Sequence, residues 1–220
     1  MAASDRILCV GGSKGIGRAV AQALGARAVV WSRAHGVDAA DPASVAAAAR
    51  PLLQAGAPWG LVHTVGDFVE APLLATPPAV LASLVQSNLA SVVHVVQAVV
   101  PAMVAARRGR VVLFAAAGAG RGRAMRRAPL YFAIKAAVVH LARSLAAEVA
   151  TSGVTVNVVS PGLIEHEHSH RDSQQRLLPR VPAGRLGTVD DVVGVVRWLL
   201  QPESGYVTGE DFTVDGGLQL

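Results

Sequence analysis

The sequence predicts an α/β fold: a parallel β-sheet, doubly wound with helices on both faces, in a single domain spanning residues 1–220. Three observations predict it. Six short runs, apolar throughout or nearly so, alternate with longer helical patterns, as in a chain of βαβ units. The runs lack the polar alternation of half-exposed strands, as expected of strands covered on both faces. No repeat and no Ser/Gly/Pro linker divides the 220 residues, a length suited to one sizeable core.

Taken in order, the first strand is Ile7–Val10, which runs through a glycine turn into a helix over Gly15–Leu24. Ala28–Trp31 is the second strand, followed by a helix over Pro42–Gln54. Gly60–Thr64 is the third, and the long apolar stretch Pro78–Ala105 is the next helix. Strand Arg110–Phe114, helix Tyr131–Ala150, strand Thr155–Ser160, helix Val189–Leu200 and strand Asp211–Val214 complete the pattern. Right-handed crossovers would place these helices on both faces of one sheet.

Composition narrows the class. Hydrophobic residues make up 52% of the chain, which argues against disorder. A single cysteine excludes a disulfide framework, and Cys9 in its apolar run reads as a buried thiol in a reducing compartment. No basic segment followed by an apolar core opens the chain, so no signal peptide is expected and the location reads as cytoplasmic. Leu89–Ala106 is near membrane length but contains His94, Gln97 and Pro101, so a buried or interface helix is expected and no membrane partner. The net charge of +5 is dispersed, apart from a loop at 121–127, and aromatics are scarce. That describes a solvated basic surface and not a nucleic-acid face.

The first strand leads into "VGGSKGIG", with Gly11, Gly15 and Gly17 spaced G-x-x-x-G-x-G. Small residues let a backbone approach a pyrophosphate, and the next helix offers free N–H groups and a positive dipole end. Ser13, Lys14 and Ile16 complete this candidate phosphate loop. Further along, Tyr131 and Lys135 stand four apart, on one helical face.

These features occur with others in a fixed order. "LVQSNLASV" supplies Asn88, "NVVSPG" supplies Asn157, Pro161 and Gly162, and "GRLGTVDDV" and "YVTGEDFTVDGG" close the chain. In this set the sequence resembles the short-chain dehydrogenase/reductase family over nearly its whole length. The resemblance implies a Rossmann-type fold and hydride transfer between a nicotinamide cofactor and a small-molecule substrate. It implies that Tyr131 donates the proton, that Lys135 stabilises the tyrosinate and holds the nicotinamide ribose, and that Asn88 anchors a water leading to Lys135. Gly66, Pro161, Gly162 and Ile164 fall at further cofactor positions. No metal site is expected. Pairing of helices Pro78–Ala105 and Tyr131–Ala150 across a two-fold axis implies a homodimer or homotetramer.

The cofactor is read from the end of the second strand. An acidic residue there would hold a ribose 2′-OH and repel a 2′-phosphate. Ser32 and Arg33 stand there instead, and Lys14 adds a nearby charge, which favours NADP(H). Asp38 and Ala39 resemble the family's adenine-contacting pair, although Asp38 reads equally well as a turn residue before the helix at Pro42.

Three departures from the family pattern stand out. Between Trp31 and Asp38 there is almost no room for a further helix and strand, since a crossover needs at least about 10–12 residues, so that sheet edge is expected to be trimmed. The family's NNAG is "HTVG", His63 to Gly66. The active-site serine is absent, its place taken by Ala115, Ala116 or Ala117. A missing preorganised donor typically costs about 10²–10³ in rate. A donor from His63, Thr64 or His166 could compensate. An easily reduced acceptor could need only one donor, as in dihydropteridine reductases, which also lack that serine and are trimmed after strand two. A third reading is a cofactor-binding sensor or assembly subunit with little turnover.

Other features are ambiguous in the sequence. Arg121, Arg123, Arg126 and Arg127 precede Tyr131 and could attract an acidic substrate or carrier, or form a solvated or subunit-contacting loop. Asp67 and Phe68 could line the substrate site, with Asp67 a partner for a pterin's amino-pyrimidine edge. His166, His168 and His170 fall in a lid over the nicotinamide, read as solvated and not metal-binding.

Overall fold

The computed structural model describes residues 5–121, 124–167, 169 and 171–220. Its strands are β1 (Ile7–Val10), β2 (Ala28–Trp31), β3 (Gly60–His63), β4 (Gly109–Phe114), β5 (Val154–Pro161), β6 (Ile164–Glu165), β7 (Gly187–Thr188) and β8 (Asp211–Val214). Six of them form one parallel sheet in the order β2-β1-β3-β4-β5-β8, and β6 pairs with β7 outside it. The helices are α1 (Gly15–Leu24), α2 (Pro42–Gln54), α3 (Pro78–Val85), α4 (Ser91–Ala105), α5 (Pro129–Val149), α6 (Arg171–Leu177) and α7 (Val189–Leu199).

Alternate strand residues point to opposite faces, so the sheet divides two cores. On one face Leu8, Leu61, Val111, Leu113 and Val156 meet Val95, Val99 and Met103 of α4 and Val138 and Ala142 of α5. On the other Ile7, Val62, Val112 and Val159 meet Val20 of α1 and Val192, Val196 and Leu199 of α7. Each such side chain, fully buried, stabilises the fold by about 1.5–3 kcal/mol. This two-sided burial is why the strand runs are apolar without alternation.

The long apolar helix is one continuous rod with an irregular middle: α3 and α4 are joined by a π-turn over Gln86–Ala90. The trimmed edge is present as expected. β2 pairs only with β1, residues 28–30 are partly exposed, and only a short 3₁₀ turn at Arg33–His35 lies between β2 and α2.

The closing motifs are structural. Thr188 caps α7 by accepting from Asp191 N, and the Asp191 carboxylate accepts from Thr188 N at 2.7 Å and from both Arg185 terminal nitrogens. The Arg185 guanidinium holds the Asp191 carboxyl well below the usual carboxylate range. Asn157 ties β5 to the loop before β8: its Nδ2 donates to Val207 O at 2.8 Å and its Oδ1 accepts from Glu210 N at 3.1 Å.

Strand order runs outward in opposite directions from β1 and β3. In such sheets the crevice at the carboxyl ends of the strands, where the order reverses, is the place a ligand enters.

Candidate active site

A cleft of about 1290 Å³ opens there. Gly11, Ser13, Lys14, Gly15, Ile16 and Gly17 line one end; Ser32, Arg33, Asp38 and Ala39 line the adjoining wall. Gly66, Tyr131, Lys135, Pro161, Gly162 and Ile164 line the other end. Of the residues assigned to catalysis or to the cofactor, Asn88 is the one that does not line it; it lies wholly buried behind Gly66.

The glycine end is a cradle that side chains would fill. Gly11 has φ +87°, and a Cβ there would lie 2.7 Å from Thr64 Oγ1. A Cβ on Gly17 would collide with Gly11 O and Thr64 Oγ1. Lys14, in extended conformation, precedes α1, whose first turn has neither a side-chain cap nor an acidic residue. The N-terminal N–H groups and dipole of α1 therefore face the cleft without compensation from the helix itself. One of them is already used: Gly15 N donates to Glu167 Oε1 of the lid at 3.0 Å, and Arg18 pairs with the same oxygen at 3.1 Å. The cradle fits the diphosphate of a dinucleotide.

At the other wall Arg33 is exposed, while the Ser32 hydroxyl and His35 Nδ1 are 2.8 Å apart. Asp38 lines the cleft, and its carboxylate accepts from Ala40 N at 2.9 Å, which makes it the turn residue of one of its two sequence readings. The cap of α2 is Asp41, which accepts from Ala43 N and Ser44 N.

At the catalytic end, Tyr131 and Lys135 project from one face of α5. Phe68 packs edge-on against the Tyr131 ring, with centroids 4.9 Å apart. Lys135 Nζ is buried, donates to Phe114 O at 3.0 Å and lies 5.8 Å from the Tyr131 ring centroid. Burial pushes the Lys135 ammonium down to about 8 and the Tyr131 hydroxyl up to about 12. The expected lowering of the tyrosine is thus not met in this arrangement: desolvation outweighs a lysine turned toward a carbonyl.

The π-turn gives Asn88 its place. Its Nδ2 donates to Asp67 O at 3.0 Å and Leu84 O at 3.1 Å, while its enclosed Oδ1 has no partner among the described residues. A Cβ on Gly66 would collide with that oxygen and lie 3.0 Å from Lys135 Nζ. Gly66 therefore keeps open a small polar space between Asn88 and Lys135, suited to a water.

Of the three candidate replacements for the serine, Thr64 and His166 line the cleft and His63 does not. His63 is buried, does not line the cleft, and is held near 3 chiefly by burial and then by the Lys135 charge. The Thr64 hydroxyl donates to Val10 O at 2.9 Å. The His166 ring faces Gly15, at the phosphate end. Ala115, Ala116 and Ala117 are all buried in the cleft wall.

Asp67, Arg126 and Arg127 also line the cleft. Arg127 and Arg176 of α6 pair with one Glu70 oxygen at 3.3 and 2.8 Å, contacts that no local motif announced. Leu218 and Gln219, from the C-terminal tail, line it too and were equally invisible to motif reading. Arg121 lies in a 3₁₀ turn, while Arg123, His168 and His170 lie outside the described residues.

Comparison with known proteins adds a second line of observation. The family model described as enoyl-(acyl carrier protein) reductase matches residues 14–219. The 3-oxoacyl-(acyl-carrier-protein) reductase FabG of Escherichia coli (strain K12) is 31% identical over 237 residues, covering 97% of this chain and 96% of the relative. Sorbitol dehydrogenase of Cereibacter sphaeroides is 30% identical over 249 residues, covering 96% and 95%. Among solved structures, a short-chain type dehydrogenase/reductase from Mycobacterium ulcerans matches with a TM-score of 0.89 at 25% identity, covering 98% of this chain and 90% of that one.

Proposed function

The chain belongs to the short-chain dehydrogenase/reductase family, and from that premise we propose that it is an NADP(H)-dependent oxidoreductase acting on a small carbonyl or similar acceptor. One observation carries the reading: a single cleft holds the glycine cradle at one end and Tyr131 with Lys135 at the other. The cradle and the N-terminus of α1 hold the diphosphate, Arg33 and Lys14 the 2′-phosphate, and Lys135 the nicotinamide ribose. When bound, the cofactor supplies the hydride. Tyr131 delivers the proton to the acceptor oxygen, and Lys135 replaces it, fed by a water that Asn88 anchors. Buried Ala115–Ala117 and Phe68 exclude bulk water from the reacting end.

A second reading, reduction of a dihydropterin, is favoured by Asp67, an acceptor for an amino-pyrimidine edge in the same cleft as the three alanines. The symmetric pairing of α4 and α5 in a dimer or tetramer remains part of the proposal.

Titration with NADPH and NADH tests the cofactor. NADPH is expected to bind more tightly, and Lys14→Ala with Arg33→Ala to weaken NADPH alone by about 10–100-fold, from charge-assisted bonds of about 1.5–3 kcal/mol. Equal affinities sink the NADP reading. NADPH oxidation is then followed with ketones, quinones and quinonoid dihydropterin, and Tyr131→Phe is expected to abolish it. Tight binding with no oxidation by any acceptor would favour a sensor or assembly role.

A further inference from the structure

The C-terminal tail is folded back by its own acidic residue. The Asp215 carboxylate accepts from Gly217 N at 2.9 Å and Gln219 N at 3.0 Å. Gly216 and Gly217, with φ of 62° and 86°, make the turn where a side chain would be strained. Arg121 Nη1 donates to the Gln219 carbonyl at 3.4 Å. The tail thus reaches the loop that follows β4.

There the Gln219 side chain rests on Gly118. A Cβ at Gly118 would lie 2.7 Å from Gln219 Oε1 and 3.0 Å from its Cδ. Gly118 directly follows the three alanines that stand where the family pattern has its hydroxyl. Gln219 Oε1 is enclosed and has no hydrogen-bond partner among the described residues. Enclosed polar atoms are nearly always paired; Gln219 also lines the cleft, and turning its amide off Gly118 into the cleft pairs this oxygen with a donor that the ligand brings.

We infer that Gln219 determines substrate specificity, its amide accepting a hydrogen bond from an N–H or O–H group on the acceptor. The inference rests on the reductase reading of the cleft. It gives the substrate a chemical class, a carbonyl compound that also carries a hydrogen-bond donor. It also gives the tail a positioning role on the wall that lacks a hydroxyl. A site built to hydrogen-bond a group rejects the analogue lacking it, whereas an apolar wall discriminates weakly.

The test uses the NADPH complex of the whole protein, with cofactor fluorescence as the binding signal. The probes are matched ketones: acetoin against 2-butanone, and 2-hydroxycyclohexanone against cyclohexanone. The hydroxylated member is expected to bind about tenfold more tightly, the worth of one well-made hydrogen bond. In Gln219→Leu that ratio is expected to fall to about one, while Gln219→Glu, which keeps an acceptor oxygen, retains a preference. Thermal melting of each variant establishes folding. Equal binding of both members to the wild type, or a ratio that survives in Gln219→Leu, overturns the inference. NADPH oxidation is read on the same samples: discrimination in binding without oxidation keeps the role of Gln219 and overturns the reductase reading.

Discussion

The Glu167 carboxylate holds Gly15 N and Arg18, so the lid places an anion where a cofactor phosphate would sit. In the proposed binding mode the cofactor displaces it, and the contact is exposed, worth about 0.5–1 kcal/mol. Glu167→Gln is expected to tighten NADPH binding about 2–5-fold by calorimetry; weaker binding would show instead that Glu167 helps close the lid over the cofactor. His63 makes a different prediction. Its folded-state pKa lies near 3 against an ordinary 6.5, so between those pH values the unfolded chain binds a proton that the native chain refuses. Its contribution is complete above pH 6.5 and is lost as pH falls toward 3, at about 1.4 kcal/mol per pH unit. Urea unfolding across that range should show a steeper acid loss in the wild type than in His63→Gln, and equal slopes would refute the buried neutral histidine.

Among the elements, the α3–π-turn–α4 rod and α5 together build the catalytic end. The π-turn aims Asn88 at the Gly66 bend, and α5 brings Lys135 to the same point. Gly66→Ala places a methyl against Asn88 Oδ1 and Lys135 Nζ. Stability is expected to fall by about 1–3 kcal/mol, as for overpacking, with a larger loss in kcat than in NADPH affinity. Urea unfolding and steady-state kinetics read the two effects, and an unperturbed kcat would show that this polar space is not used. The end of α7 is separable from the site: Thr188→Ala removes its cap and should cost about 1 kcal/mol without changing cofactor affinity.

For the molecule as a whole, α4 and α5 bury one side on the sheet and leave Val96, Val104, Leu141 and Leu145 only partly covered. The α3–α4 rod and α5 are long and apolar by composition, more than one sheet face requires. Light scattering on a size-exclusion column is expected to give the mass of two or four chains, and a monomer at micromolar concentration would remove the pairing. The order β2-β1-β3-β4-β5-β8 opens the cleft at the carboxyl ends of the strands, with Ser32 and Arg33 beyond the trimmed β2 edge among its lining residues.

The pattern of elements was legible because it is written in near neighbours: apolar runs for strands covered on both faces, a 3.6-residue period for helices, glycines where the chain turns under a phosphate. Tyr131 and Lys135 were legible for the same reason, since four residues apart on a helix means one face. The gain or loss of contacts between distant segments was not. Nothing near Gln219 tells that it rests on Gly118, nothing near Glu167 that it reaches Gly15, and nothing near Glu70 that Arg127 and Arg176 converge on it. The titration of Tyr131 also depended on the fold, because desolvation is set by everything packed around a group. The sequence by itself determined the sheet and the shared helical face of Tyr131 and Lys135, through local periodicity and spacing, and its ordered motifs carried the resemblance to the family. The tertiary structure alone decided that Gln219 rests on Gly118, because topology brings the C-terminal tail and the β4 loop together across a hundred residues of chain.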